Sequence, residues 1–140
     1  MNETVGKLRP QSVVMAERLI WTSAAIAAFF TIAAYVGLLP FRIPGNAVIS
    51  DFVDVAFLAL CAAKIRAGRN WTRWLMLIVF VLGSLMLPLA LLFAPQIVQS
   101  MPATLVIVGL VQFAIQLGAL ILVFMPASSA WFRPNRQVAQ

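Results

Sequence analysis

Hydrophobic and polar positions in this chain fall into long blocks. Residues 19–39 form an uncharged run of 21, closed by Pro40. At 1.5 Å of rise per residue, such a run crosses the roughly 30 Å of hydrocarbon in a bilayer as one helix. From residue 74 to residue 132 there is no charge in 59 positions. One helix cannot use that length, so the chain must fold back within it. The break falls in "APQIVQSMP" (94–102), where Pro95, Gln96, Gln99, Ser100 and Pro102 interrupt two strongly apolar segments. This predicts spans over 74–94 and 103–125, with Pro88 kinking the former rather than ending it. Residues 46–63 follow the turn "IPGN" (43–46) and are apolar except for Ser50, Asp51 and Asp54. An aspartate at a helix centre costs about 2.5–3.5 kcal/mol, and the eight large apolar residues here return roughly 2.5–5 kcal/mol together. The segment therefore spans if its aspartates lie near one end or if neighbouring helices help. Spanning is the better reading, because otherwise the basic stretch 64–73 shares a side with Arg42. The pattern predicts an all-α polytopic membrane protein: one domain over residues 1–140 with four transmembrane helices.

Charge sets the orientation. Lys7, Arg9 and Arg18 precede the first span, Lys64, Arg66, Arg69 and Arg73 lie between the second and third, and Arg133 and Arg136 follow the fourth. With four spans these share one side, nine against Arg42 alone. The positive-inside rule then puts both termini in the cytoplasm, N-in and C-in. Trp21, Trp71, Trp74 and Trp131 all fall at the cytoplasmic ends of spans, where an interfacial belt is expected. A cleaved signal peptide does not fit the first run. It is longer than the 7–15 residues of an h-region, and "YVGLLPFR" has no small-residue cleavage site.

The totals agree with lipid as the solvent. Of 140 residues 63% are hydrophobic and 10% charged, against about 25% charged in soluble proteins. The net charge of +6 raises nucleic acid as a partner, yet the charges sit at span ends. "KIRAGRNWTRW" (64–74) is a topology signal in a short loop flanked by Trp71 and Trp74. Lys64, Arg66, Arg69 and Arg73 there suit anionic headgroups, worth about 1 kcal/mol per basic residue. The partner is the lipid bilayer, with no nucleic acid. One cysteine, Cys61, and no histidine rule out a Cys/His metal site and a histidine-based triad. No phosphate loop or cofactor signature is present, so neither an enzyme nor a cofactor is expected.

Four polar residues inside the spans are candidates for chemistry. Asp51 and Asp54, at i and i+3, share a helix face. The simpler reading puts them in the first turn of span two, with Ser50 as N-cap and the helix dipole favouring their charge. The functional reading is a cation or proton site opening outward, since carboxylates within a membrane are functional suspects. Gln112 and Gln116, at i and i+4 near the middle of span four, are candidate helix-to-helix polar contacts, inside the bundle or in an oligomer. With Asp54 they are alternatively the lining of a polar path. Ser23, Ala24, Ala27, Ala28 and Thr31 in span one, and Ala114 and Gly118 in span four, permit close helix approach. Arg18 to Pro40 and Arg73 to Pro95 are both separations of 22 residues, an echo of a hairpin duplication that spans two and four do not share.

"KIRAGRNWTRWLMLIVFVLG" (64–83) and "FMPASSAWFRP" (124–134) resemble segments of small uncharacterised bacterial four-helix inner-membrane proteins, which carry a Gly-Arg-x-Trp-x-Arg-like turn before the third span. The resemblance covers about a quarter of the chain. It implies a multi-pass protein of the bacterial inner membrane and transfers no functional residues. Small multidrug resistance transporters also have four spans in a short chain, but they depend on a glutamate in the first span and show little charge bias. Here residues 19–39 hold no acid. The expected function is non-catalytic: an accessory or interaction subunit, or a protector against a membrane-acting toxin, with a membrane-protein partner or further copies of itself. The alternative is a small oligomeric transporter or channel using Asp51 and Asp54.

Overall fold

A computed structural model describes residues 9–41 and 45–132. Lys7, Arg42, Arg133 and Arg136, and part of the turn at 43–46, lie outside the described residues. The described residues form six helices and no strand: α1 (Gln11–Tyr35), α2 (Gly45–Arg66), α3 (Trp71–Phe93), α4 (Pro95–Gln99), α5 (Ala103–Phe124) and α6 (Pro126–Trp131). Among them α1, α3 and α5 are long and apolar enough to cross a membrane. Their outward surfaces are hydrocarbon, with Phe29, Ile32, Leu82, Leu85, Met86, Ile107 and Leu110 all exposed. This is the build of a membrane protein, because water would charge roughly 25 cal/mol for each Å² of that surface.

Glycine settles two of the helix ends. Gly37 takes φ 81°, and the N–H of Leu38 donates to the Ala33 carbonyl at 2.9 Å. Gly68 takes φ 71°, and the N–H of Arg69 donates to the Lys64 carbonyl at 3.1 Å. Both are left-handed caps that a residue with a Cβ adopts only at a cost. They account for boundaries that hydropathy placed elsewhere. Helix α1 stops at Tyr35, short of Pro40, and α2 runs on to Arg66 through the start of the basic stretch. At its other end α1 begins at Gln11, well before the uncharged run. Its first turns carry charge, and Arg9 pairs with Glu17 at 2.9 Å. The break at 94–102 contains the single-turn α4, with Pro95 in its first turn. Helix α3 continues through Pro88.

Helix α1 is central. Val13, Ala16, Ile20, Ser23, Ala24, Thr31 and Ala34 are buried along it at the three- and four-residue spacing of one face. Most are small, so neighbouring backbones approach closely. Helix α2 lies antiparallel on one side, with Thr31 opposite Asp51 and the start of α1 packed with Cys61, Ala62 and Ile65. Helix α5 lies antiparallel on the other side, with Ser23 opposite Gln112 and Leu19 beside Gly118. Helix α3 rests on α5 through stacked Phe80 and Phe113, whose ring centroids are 4.9 Å apart. The helices therefore follow one another around a ring in the order α2–α1–α5–α3, with α3 returning to α2 at one end.

The packed core sits at one end of this bundle. It comprises Val13, Ala16, Ile20, Cys61, Ala62, Ile65, Met76, Ala119, Leu120, Val123 and Phe132. These come from the start of α1, the end of α2, the start of α3, the end of α5 and, for Phe132, the residue after α6, where Lys64, Arg66, Arg69 and Arg73 also lie. We call this the basic end. Away from it α3 buries nothing beyond Met76. The short turn 67–70 holds α2 and α3 together at the basic end, and the two helices part above it.

Candidate functional site

Several polar side chains of the helix interiors gather at one level. Ser23 is the thirteenth residue of the 25 in α1, and Asp54 is the tenth of 22 in α2. Ser84 lies past the middle of α3, and Gln112 is the tenth of 22 in α5. Ser23 is fully buried and serves both glutamines. Its hydroxyl donates to Gln112 Oε1. Gln112 Nε2 donates to the Ser23 carbonyl at 3.0 Å, and Gln116 Nε2 donates to Ser23 Oγ at 3.2 Å. An amide in hydrocarbon has no water to turn to, so these bonds tie α5 to α1 at mid-height. The serine is also small enough to admit the amides.

The aspartates occupy a different place from the first-turn reading. Because α2 begins at Gly45, Asp51 and Asp54 lie in its second and third turns, and its first turn holds no acid. Ser50 is no N-cap either. Its hydroxyl donates to the Ala47 carbonyl at 2.9 Å. Asp51 is half-buried and accepts a hydrogen bond from the buried Thr31 hydroxyl at 3.0 Å. Asp54 is exposed, about 14 Å along the helix from Gly45 and about 15 Å from Lys64. Among the described residues neither carboxylate has a cationic partner, the one ion pair being Arg9–Glu17.

Two cavities meet at Asp54. One, of about 250 Å³, lies between α1, α2 and α5 and is lined by Phe30, Thr31, Phe41, Asp51 and Asp54. The other, of about 360 Å³, fills the gap between α2, α3 and α5, against Asp54, Phe57, Phe80, Gln112, Phe113 and Gln116. Gly109 borders both, and a Cβ built on it meets nothing within 4 Å. The gap exists because α2 and α3 join only at their basic ends. The structure thus brings Asp54, Gln112 and Gln116 to one cavity, although they are distant in sequence. Sequence reasoning missed Phe57, Phe80 and Phe113, since phenylalanines in an apolar run carry no positional signal. It also missed Thr31 as a partner of Asp51, having marked it only as a small residue.

At the basic end the loop charges separate. Arg66, Arg69, Trp71 and Trp74 are exposed and Lys64 is half-buried, in keeping with a headgroup layer. Arg73 instead turns inward. Its guanidinium stands 5.3 Å from the ring centroid of Phe124 and 4.8 Å from that of Phe132, and Nη1 donates to Ser129 Oγ at 3.1 Å. Trp74 packs edge-on against Phe124 at 5.6 Å. Ser12 and Ser128 share a 2.7 Å hydrogen bond, joining the start of α1 to α6. Together these contacts close the basic end. No known protein family, curated protein or solved structure matches this chain.

Proposed function

We propose that this is a four-span protein of the bacterial inner membrane, with both termini in the cytoplasm, that binds and passes a cation without catalysis. In this reading it is a small transporter or channel. The observation that carries it is Asp54, which lies at mid-height beside a cavity it shares with Gln112 and Gln116, above a closed basic end. Substrate and ion sites of transporters lie near the bilayer midplane, and an intramembrane carboxylate is worth its cost only where it serves a function. Helix α2 counts as the fourth span because it runs antiparallel along α1, so it crosses wherever α1 crosses. Thr31, which donates to Asp51, is the neighbouring contact that makes that acid tolerable. The nine-to-one division of Lys and Arg supports a cytoplasmic basic end, which leaves the Asp51 cavity on the outer side.

The test is cation and proton uptake into liposomes containing the purified protein. Uptake above empty liposomes, lost in Asp54→Asn, supports the reading. Wild-type protein that inserts yet moves neither protons nor cations sinks it.

A second reading, an accessory or interaction subunit or a protector against a membrane-acting toxin, draws on α3. That helix exposes Leu85, Met86, Leu89, Leu92 and Phe93, a face that another membrane protein or another copy would cover. Capture of the tagged protein from mild detergent, with the particle mass determined, decides it. A second protein in fixed ratio favours this reading, and copies of this chain alone favour transport.

A further inference from the structure

We propose that the cavity between α2, α3 and α5 is a binding site for a small organic ammonium ion carrying an aromatic or alkyl group. The inference rests on the cation-binding reading above and names the class of cation.

Three features converge on it. The first is charge. Asp54 lines the cavity and has no cationic partner among the described residues. A carboxylate at mid-height in a bilayer calls for a counter-charge, and a positive ligand supplies one.

The second is the wall. Phe57, Phe80 and Phe113 line the same space, and Phe80 and Phe113 stack with their centroids 4.9 Å apart. Aromatic faces attract cations, and alkylated ammonium ions above all, because these give up little hydration on leaving water. A hard inorganic ion wants six or more oxygen ligands. The described residues hold no group of three or more metal-ligating side chains, so the lining suits an organic cation better.

The third is size and access. The space of about 360 Å³ is far larger than a bare ion needs and falls in the size range of small-molecule pockets. It lies where α2 and α3 part, so an amphipathic cation reaches it from the membrane. Gln116 gives its amide nitrogen to Ser23 and leaves its carbonyl oxygen without a donor among the described residues. That oxygen is an acceptor for an ammonium N–H or for the acidified C–H groups beside a quaternary nitrogen.

The probe is radiolabelled benzyltrimethylammonium, titrated onto the full chain in lipid nanodiscs with empty nanodiscs subtracted. The expected result is saturable binding that weakens at least about tenfold in Asp54→Asn and returns in Asp54→Glu. Phe80→Leu should weaken it roughly threefold. Phe80→Leu leaves every carboxylate in place, so it tests the wall apart from the charge. Equal binding to wild type and to Asp54→Asn overturns the proposal, as does displacement by an equal concentration of sodium or potassium. Absence of saturable binding alongside Asp54-dependent proton or sodium uptake also overturns it and leaves the transport reading standing. Saturable Asp54-dependent binding without any uptake supports the site and removes the transport step.

Discussion

Ser23 shows how much a single small hydroxyl residue can organise where water is absent. It takes part in three hydrogen bonds to two glutamines, two of them through its hydroxyl and one through its carbonyl. Gln112 bonds both the hydroxyl and the carbonyl whereas Gln116 bonds only the hydroxyl, which makes the two separable. With Ser23→Ala in place, Gln116→Leu should cost nothing further, because Gln116 bonds only the hydroxyl. Gln112→Leu should still cost about 0.6–2 kcal/mol, since its bond to the backbone survives. A double-mutant cycle on unfolding in mixed micelles measures both couplings, and equal coupling for the two glutamines would contradict the geometry. Gly68 presents a second residue-level constraint. Its φ is 71°, and a Cβ there would stand 3.2 Å from the Trp131 indole nitrogen. Gly68→Ala should therefore destabilise by about 1–2 kcal/mol. Gly83→Ala, in a helix and facing open space, should be neutral or slightly stabilising in the same assay.

At the scale of the element, the question is which faces meet water. Helix α2 carries the basic stretch at one end, and α4 sits in the polar break between α3 and α5. In the four-span arrangement the turn at 67–70 is cytoplasmic and α4 is external. Asn70 and Gln99 are both exposed, so cysteines at these positions report the two sides. Labelling intact cells with a membrane-impermeant maleimide should modify Gln99→Cys and spare Asn70→Cys until the cells are opened. The reverse pattern would invert the topology. The native Cys61 is 1% exposed and packs in the core, so it should stay silent until the protein is denatured. Of the four long helices α3 is the one least held by the rest, with only Thr72 and Met76 buried. A nitroxide at Leu85, which is 48% exposed, should show the oxygen accessibility of a lipid-facing site. Low accessibility there would instead mean that a partner covers α3.

For the whole molecule, the ring α2–α1–α5–α3 is closed at the basic end and parted between α2 and α3 at the other. Closure comes from the core cluster, from Arg73 between Phe124 and Phe132, and from the Ser12–Ser128 bond. Parting comes from the weak association of α2 with α3, and it produces the cavity in which Asp54 and the aromatic walls lie. Gly109→Leu fills space shared by both cavities without meeting other atoms at its Cβ. It should leave insertion and unfolding midpoint near wild type while abolishing cation uptake. Retained uptake would place the path elsewhere.

The sequence by itself determined the solvent and the all-helical architecture, because an uncharged run of 21 residues or of 59 leaves a backbone no other way to satisfy its polar groups in lipid. It also carried the break at 94–102, through its prolines and glutamines, and it marked Asp51, Asp54, Gln112 and Gln116 as costly enough in hydrocarbon to need a reason. Helix ends were less legible. Gly37 and Gly68 act through backbone conformation, which hydropathy does not register. Only the tertiary structure decided that Ser23 satisfies both glutamines, that Thr31 reaches Asp51, that Arg73 leaves its basic neighbours, and that Asp54 shares a cavity with residues of α3 and α5. Periodicity fixes which face of a helix a residue occupies, but the neighbour opposite that face depends on how four similar apolar helices order themselves. That order is chosen by the fit of small residues along α1, a sum of many weak contacts that no single position reveals.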